Sequence, residues 1–204
     1  MEEKFLEKYF GELPKDKIDK LHSLYPLYLE WNNKINLISR KNFNKENFYT
    51  RHLIHSLSII KFISFPQGST VLDVGTGGGF PGIPLAIIFD KVNFTLLDSR
   101  NKKLTAVKDI ATKLELNNVS TLWERVENVK KKYDFITGRA VKDLSLFYAW
   151  TKKNLKDKNS KIIYLGGGET DPEFISKTKE YKEFPLKDIF KEDFFETKKV
   201  IVFR

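Results

Sequence analysis

Residues 71–82 of this chain read VLDVGTGGGFPG, an apolar run that breaks directly into glycines. A second apolar run, IPLAIIF, follows at residues 83–89. This order predicts a buried strand, a tight turn and a helix. Glycines at such a turn allow positive φ and let a ligand approach the bare backbone, which is how α/β folds bind adenosine-containing cofactors at strand ends.

The glycine spacing argues against a dinucleotide. A dinucleotide-binding turn has the pattern G-x-G-x-x-G, in which the third glycine admits close packing beside a helix that faces the pyrophosphate. Here the third position is Phe80, and Pro81 and Pro84 leave few bare backbone amides for a diphosphate. We therefore expect an adenosine ligand without a diphosphate. The alternative is a glycine-rich connection that binds nothing.

A second strand is predicted at residues 92–98 and ends in Asp98. Asp98 lies about 20 residues beyond the first glycine, where a carboxylate can accept hydrogen bonds from both ribose hydroxyls. The alternative role for Asp98 is to cap the helix predicted over residues 101–116. Position and spacing together favour ribose binding.

The hydrophobic periods predict two regions. Residues 1–65 show helical spacing and form an N-terminal helical appendage, whereas residues 66–204 form one compact α/β unit. Strands are predicted at residues 70–74, 92–98, 119–123, 133–138, 160–165, 182–188 and 198–203. The last two are too close for a crossover helix and should form an antiparallel hairpin. The expected fold is Rossmann-like, with a mostly parallel seven-stranded sheet and an antiparallel last strand.

Positive charge is unevenly distributed along the chain. The formal net charge is +9, and residues 130–161 contain ten Lys or Arg against three Asp. Such clusters suit a polyanion, whose phosphates give an affinity that weakens with salt. A solvated, lysine-rich surface is the alternative.

The composition excludes several classes of site. The chain has no cysteine, which excludes disulfides, thiolate metal sites and cysteine nucleophiles. His52 and His55 share a helical face, but His22 is the only other histidine and no acid completes a ligand set, so we expect no metal. Because no secretory leader or bilayer-length apolar run is found, we expect a cytoplasmic protein that does not bind membranes.

Several motifs together point to one family. In chain order they are NLISR at 36–40, RH at 51–52, SL at 56–57, DVGTGGGFPGIPL at 73–85, LDS at 97–99, KK at 102–103, RVE at 125–127 and RA at 139–140. Over roughly residues 25–168 this order resembles the family of ribosomal RNA small subunit methyltransferase G, or GidB. The resemblance implies a class I methyltransferase that uses S-adenosylmethionine to methylate N7 of a guanine in 16S ribosomal RNA. Its partner would be that RNA or the small ribosomal subunit, and we expect a monomer.

The resemblance also implies the cofactor contacts. They are Gly75 and Phe80 in the loop, Val126 and Glu127 after the third strand, and Arg139 after the fourth. The turn and strand-end arguments add Gly77 and Asp98. Glu127 could instead be a helix-starting acid, and Arg139 a phosphate contact or a surface charge.

We expect no catalytic acid or base, because guanine N7 carries a free lone pair and positioning is the main requirement. Phe80 and Arg139 are the candidates for holding the purine. Further RNA-binding candidates are Arg40, Arg51, His52 and Lys142. His52 could equally pack within the helical appendage.

The chain departs from the family pattern at three places. His55 stands where the family usually has an acid, and Gly138 stands where a serine is common. A basic residue frequent before the glycine after the fifth strand is replaced by Leu165. These changes affect the RNA-facing rim and leave the cofactor loop intact.

Two other functions fit parts of the sequence. Tyr148 and Lys152 have the Y-x-x-x-K spacing of short-chain dehydrogenases, although those enzymes need a differently spaced glycine loop. A non-catalytic RNA-binding assembly factor with a vestigial cofactor site would explain the basic clusters equally well. Binding of nicotinamide or of S-adenosylmethionine would separate these functions.

Overall fold

The computed structural model describes residues 3–39, 43–141 and 143–204. Within these ranges, seven strands form one sheet in the order β3-β2-β1-β4-β5-β7-β6. The strands are β1 (Thr70–Val74), β2 (Asn93–Asp98), β3 (Val119–Trp123), β4 (Phe135–Arg139), β5 (Lys161–Gly167), β6 (Lys182–Pro185) and β7 (Lys198–Phe203). Strands β1 to β5 are parallel, and β7 runs antiparallel to both β5 and β6. The predicted fold class and the antiparallel hairpin are confirmed.

The central strand β1 is buried on both faces, as its nearly continuous apolar sequence predicts. Val71 packs in one hydrophobic cluster, and Leu72 and Val74 pack in another on the opposite face. Helices α6 (Gly82–Ile88) and α7 (Asn101–Lys113) contribute to the first cluster. Helices α8 (Leu144–Thr151) and α9 (Pro172–Lys177) contribute to the second.

The N-terminal region is helical, as expected, and shares the first hydrophobic cluster with α6 and α7. Its first helices are α1 (Glu3–Phe10), α2 (Lys15–His22) and α3 (Leu24–Lys34). A later helical segment consists of α4 (Lys45–Asn47), a π-helix (Phe48–Ile54), α5 (His55–Leu57) and a 3₁₀ turn (Ser58–Lys61). The division of the chain at residue 65 stays a prediction.

Hydrogen bonds tie the N-terminal helices to the rest of the fold, and two of them start from α3. The indole Nε1 of Trp31 donates to Oδ2 of Asp109 on α7 at 2.7 Å. The hydroxyl of Tyr28 donates to the carbonyl oxygen of Gly78 in the glycine loop at 2.5 Å. The N-terminal helices therefore bear directly on the loop.

Several predicted boundaries differ from the structure by a few residues. Strand β4 begins at Phe135 instead of residue 133, and the side chain of the preceding Asp134 accepts hydrogen bonds from Thr70 on the neighbouring strand β1. Strand β6 ends at Pro185 and continues as a 3₁₀ turn. Helix α7 ends at Lys113, since Glu115 has a left-handed φ of 54° while the apolar pattern continues to the buried Leu116.

None of the helices in the described ranges has the length and apolar content needed to cross a bilayer.

Candidate functional site

The glycine loop between β1 and α6 is organised by a buried carboxylate. Oδ2 of Asp73 accepts hydrogen bonds from Oγ1 of Thr76 at 2.6 Å and from the backbone N–H of Gly82 at 3.0 Å. Oδ1 accepts from Oγ1 of Thr137 on β4 at 2.9 Å. Burial raises the pKa of Asp73 to about 6, although these hydrogen bonds favour the charged form. Asp73 thus joins both ends of the loop to two neighbouring strands.

Two loop positions require glycine for different reasons. Gly75 has φ 65°, and an added Cβ would lie 2.9 Å from Cγ2 of Val141. Gly82 starts α6 so close to the sheet that an added Cβ would lie 2.1 Å from Cδ2 of Leu96. The sequence pattern therefore reflects both the turn and close packing of helix on strand.

Asp98 holds the loop from the second strand. It is 9% exposed, its Oδ2 accepts from the N–H of Gly77 at 2.9 Å, and its Oδ1 accepts from the N–H of Arg100 at 2.8 Å. Asp98 therefore orders the turn before α7. This role is close to the alternative in which Asp98 caps that helix. Each carboxylate oxygen keeps a second lone pair for another donor.

A cavity of about 500 Å³ lies at the carboxyl ends of β2 and β3, and we call it the β2–β3 cavity. Its lining brings together six of the seven predicted cofactor contacts: Gly75, Gly77, Asp98, Val126, Glu127 and Arg139. Val126 is buried, and Glu127 is exposed in the 3₁₀ turn Val126–Asn128, as a helix-starting acid would be. Residues far apart in sequence therefore meet at one edge of the sheet.

A larger cavity of about 1020 Å³ adjoins the first, and we call it the β4–β5 cavity. Its walls come from the N-terminal segment, the glycine loop, the β5–α9 loop and the C-terminal hairpin. The residues that line both cavities are Gly75, Gly77, Lys103, Arg139 and Ala140. The two cavities thus share one wall, and this wall contains the positively charged side chain of Arg139.

Arg139 is held by the N-terminal segment. Its Nη1 donates to the carbonyl oxygen of Arg51 at 3.0 Å, and its guanidinium carbon lies 5.2 Å from the centroid of the Phe80 ring. Among the described residues, no carboxylate forms an ion pair with Arg139. Burial lowers the pKa of Arg139 to about 10, so the group stays charged at neutral pH. Its charge is available to an anionic ligand.

His52 is a structural neighbour of this cation. Its Nδ1 lies 3.2 Å from Nη2 of Arg139, and because a guanidinium can only donate, Nδ1 accepts. Burial, and then the charges of Arg139 and Arg51, lower the pKa of His52 to about 3. His52 is therefore neutral at neutral pH, and it lines the β4–β5 cavity while packing against Phe80. Its part in RNA binding stays a prediction.

Phe80 packs inward instead of presenting an open stacking face. Its side chain is 2% exposed, and its ring centroid lies 4.8 Å from that of Tyr28 and 5.3 Å from that of His52. It lines the β4–β5 cavity but not the β2–β3 cavity. Among the other RNA-binding candidates, Arg51 is exposed at the β4–β5 cavity, whereas Arg40 and Lys142 lie outside the described residues.

Two departures from the family pattern have structural explanations or consequences. At Gly138 an added Cβ would lie 2.4 Å from Cζ of Phe147, so this ring occupies the space that a serine would need. His55 is 5% exposed and lines the β4–β5 cavity, and its Nε2 has no hydrogen-bond partner among the described residues. Burial, with a smaller contribution from Arg139, holds the pKa of His55 well below its usual value.

Several site residues were missed from the sequence. Asp73 carried a signal, because a charged residue inside an apolar central strand must have buried partners. Lys103 carried one as well, because it belongs to the KK motif at 102–103. Thr137, Phe194 and Lys198 carried none, since each joins the site only through the sheet order or the C-terminal hairpin.

The dehydrogenase alternative fails on geometry. The ring of Tyr148 packs against Phe174 and Phe203 in the second hydrophobic cluster, and the ammonium group of Lys152 lies 5.6 Å from the centroid of the same ring. Neither Tyr148 nor Lys152 lines the two cavities at the strand ends. The Y-x-x-x-K match is therefore a coincidence of spacing.

Several solved structures with the same fold are named methyltransferases. A SAM dependent methyltransferase from Aquifex aeolicus superposes with a TM-score of 0.54 at 16% identity, covering 72% of this chain and 88% of that chain. Coclaurine N-methyltransferase, bound to N-methylheliamine and SAH, superposes with a TM-score of 0.53 at 13% identity, covering 74% and 50%. At these identities the similarity shows the fold alone, which is that of class I methyltransferases.

Sequence comparison is more specific. The family model described as rRNA small subunit methyltransferase G, GidB, matches residues 17–198. Ribosomal RNA small subunit methyltransferase G of Christiangramia forsetii is 45% identical over 201 residues, covering 96% of this chain and 94% of that protein. The protein of the same name from Cytophaga hutchinsonii is 41% identical, covering 96% of each. Matched over most of its length by the family model and by these relatives, the chain belongs to the GidB family.

Proposed function

We propose that this protein transfers the methyl group of S-adenosylmethionine to N7 of a guanine in 16S ribosomal RNA. The observation that carries the proposal is the pair of adjoining cavities at the carboxyl ends of the parallel strands, which share Arg139 in their common wall. Open α/β sheets bind their ligands at this edge. Relatives named ribosomal RNA small subunit methyltransferase G, at 41–45% identity, supply the substrate class.

The β2–β3 cavity fits the cofactor in size and chemistry. Its volume of about 500 Å³ is within the usual range of small-molecule sites, about 300–1,000 Å³. Asp98 offers free lone pairs for ribose hydroxyls, and Gly75 leaves bare backbone beside it. Val126 contributes an apolar surface suited to an adenine ring. When bound, the cofactor supplies an electrophilic methyl group on a sulfonium centre.

The β4–β5 cavity would receive the target guanine. Guanine N7 already has a lone pair, so this chain need not supply a base to remove a proton. Its task is to hold N7 in line with the methyl group and to exclude water. Arg139, rigidly held by Arg51 and beside His52, is the group best placed to position an anionic or hydrogen-bonding part of either ligand.

The charge distribution supports an RNA substrate. The protein carries a net charge of +9, with its largest local surplus in residues 130–161. Basic surfaces raise both the affinity and the rate of association with nucleic acids. A ribosomal substrate is also consistent with a cytoplasmic monomer, which stays part of the proposal.

The first test is calorimetric titration with S-adenosylmethionine. We expect the wild-type protein to bind and Asp98→Ala to bind at least about tenfold more weakly, because two ribose hydrogen bonds are lost. Asp90→Ala is the matched control, since Asp90 is an exposed acid that precedes β2 and pairs with Lys17. Absence of binding by the wild-type protein would favour the non-catalytic assembly factor.

The second test measures transfer. Small ribosomal subunits that lack the modification are incubated with the protein and methyl-labelled cofactor, and the ribosomal RNA is then isolated. Label in 16S ribosomal RNA supports the proposal. Label in protein or in a small molecule only would refute it.

A further inference from the structure

The C-terminal hairpin places a lysine at the end of β5. Lys198, the first residue of β7, is in register with Gly167, the last residue of β5. An added Cβ at Gly167 would lie 3.1 Å from Nζ of Lys198, so the missing side chain gives the ammonium group its space. Lys198 and Gly167 both line the β4–β5 cavity.

Two cations approach one aromatic ring at this wall. Nζ of Lys198 and the guanidinium carbon of Arg51 each lie 5.3 Å from the centroid of Phe194. The Phe194 ring is fixed by edge contacts with His55 at 5.3 Å and Phe195 at 5.0 Å between centroids. The ring therefore holds a lysine and an arginine on the same wall of the cavity.

The two cations lack a counter-charge. Among the described residues, neither Lys198 nor Arg51 forms an ion pair. His55, which occupies a family acid position in the same wall, contributes a buried imidazole whose Nε2 has no partner in the described ranges. Two positive charges that are held close together without a counter-charge favour the binding of an anion.

Among the described residues, the carboxylates that line the same cavity form no ion pair with Lys198 or Arg51. Oδ1 of Asp143 accepts from the N–H of Leu146 and caps α8, and Oδ1 of Asp171 accepts from the N–H of Glu173 at the start of α9. Glu169 lines the cavity from the β5–α9 loop and is exposed to solvent. A phosphate group of a ligand therefore meets both Lys198 and Arg51 beside the Phe194 ring.

We propose that Lys198, beside Phe194 and Arg51, binds a backbone phosphate of the RNA substrate at the mouth of the β4–β5 cavity. This inference rests on the proposed function and deepens it. This position also explains why the chain needs no basic residue at Leu165. Because β7 pairs with β5, Lys198 places a positive charge at the end of β5 from the neighbouring strand. Lysine suits this role because its ammonium group acts as a point charge toward phosphate.

The test is the salt dependence of binding to unmodified small ribosomal subunits. The full-length variants are Lys198→Met, which removes the charge, and Lys198→Arg, which keeps it. Lys182→Met is the matched control, because Lys182 is an exposed lysine of the same hairpin that lines neither cavity. Thermal unfolding of each variant checks that the fold is retained.

We expect Lys198→Met to bind about tenfold more weakly and to lower the slope of log Kd against log salt concentration by about one. Lys198→Arg and Lys182→Met should keep the wild-type slope, and the affinity of every variant for S-adenosylmethionine should be unchanged. A wild-type slope for Lys198→Met would overturn the inference, as would an equal loss in Lys182→Met.

The outcomes separate this inference from the proposed function. A wild-type protein that binds subunits but transfers no methyl group would refute the enzyme while the same salt series still decides the phosphate contact. A wild-type protein that does not bind subunits would overturn both.

Discussion

Removing one hydroxyl from the buried Asp73 network should destabilise the fold in a pH-dependent way. In Thr137→Val the shape of the side chain is kept, but the 2.9 Å hydrogen bond from Oγ1 of Thr137 to Oδ1 of Asp73 is lost. Both residues are fully buried, so water cannot replace the donor. Loss of a hydrogen bond to a charged group costs about 1.5–3 kcal/mol, whereas a neutral partner loses about 1 kcal/mol.

The pKa of Asp73 sets the pH window. Burial raises this pKa from 3.8 in the unfolded chain to about 6 in the fold. The folded state therefore binds the proton more tightly, and stability is lost as pH rises from about 4 through 6, by roughly 3 kcal/mol for a shift of this size. Because the Thr137 hydroxyl favours the charged form, Thr137→Val raises the pKa further. The loss of unfolding free energy in Thr137→Val, relative to the wild type, should be smallest near pH 5 and should reach its full value near pH 8.

Equilibrium unfolding in urea at about pH 5 and about pH 8 measures this difference directly. For a chain of this length, 1 kcal/mol corresponds to about 2–4 °C in Tm, so thermal unfolding provides a second readout. Thr105→Val, at an exposed position of α7, is the control and should change stability by less than about 0.5 kcal/mol. An equal loss of unfolding free energy in Thr137→Val at both pH values would refute the reasoning. A loss below about 0.5 kcal/mol at pH 8 would refute it as well.

Three further substitutions test the loop and the shared wall. Gly82→Ala should lower the free energy of unfolding by about 1–3 kcal/mol or more, because its Cβ would lie 2.1 Å from Cδ2 of Leu96; an unchanged Tm would contradict this packing. Tyr28→Phe should cost about 1–3 kcal/mol in urea unfolding, because the buried carbonyl of Gly78 loses its 2.5 Å hydrogen bond; wild-type stability would show that the bond contributes nothing. Arg139→Lys should keep the wild-type Tm within a few degrees but reduce methyl transfer by about 10–100-fold, because lysine lacks the planar fork; wild-type turnover would remove Arg139 from the site.

The fold could be predicted largely from the sequence because its signals are local. The strand, glycine turn and helix around Gly75 follow from an apolar run and from residues that permit positive φ. The short spacing of the last two strands is sufficient to predict a hairpin. The sequence does not predict strand and helix ends to the residue, since tertiary contacts such as those of Asp134 and Leu116 influence them.

The candidate site was predictable where parallel strands bring motif residues to one edge. Asp98 ends one predicted strand, Val126 and Arg139 each follow another, and the sheet order brings them to one cavity. The inward packing of Phe80 was not foreseeable, because it depends on how the N-terminal helices lie over the loop. Lys198 was equally hidden, since antiparallel register with β5 alone brings it to the site.

The central claim is that this protein methylates guanine N7 in 16S ribosomal RNA. The most direct measurement is chemical mapping of that RNA from unmodified small subunits after incubation with S-adenosylmethionine and the protein. Borohydride reduction followed by aniline cleaves the chain at 7-methylguanosine. We predict cleavage at a guanine with the wild-type protein and at least about tenfold less with Asp98→Ala at limiting cofactor, since that variant should bind the cofactor about tenfold more weakly. Transfer of methyl groups without cleavage, or cleavage at no guanine, would contradict the claim.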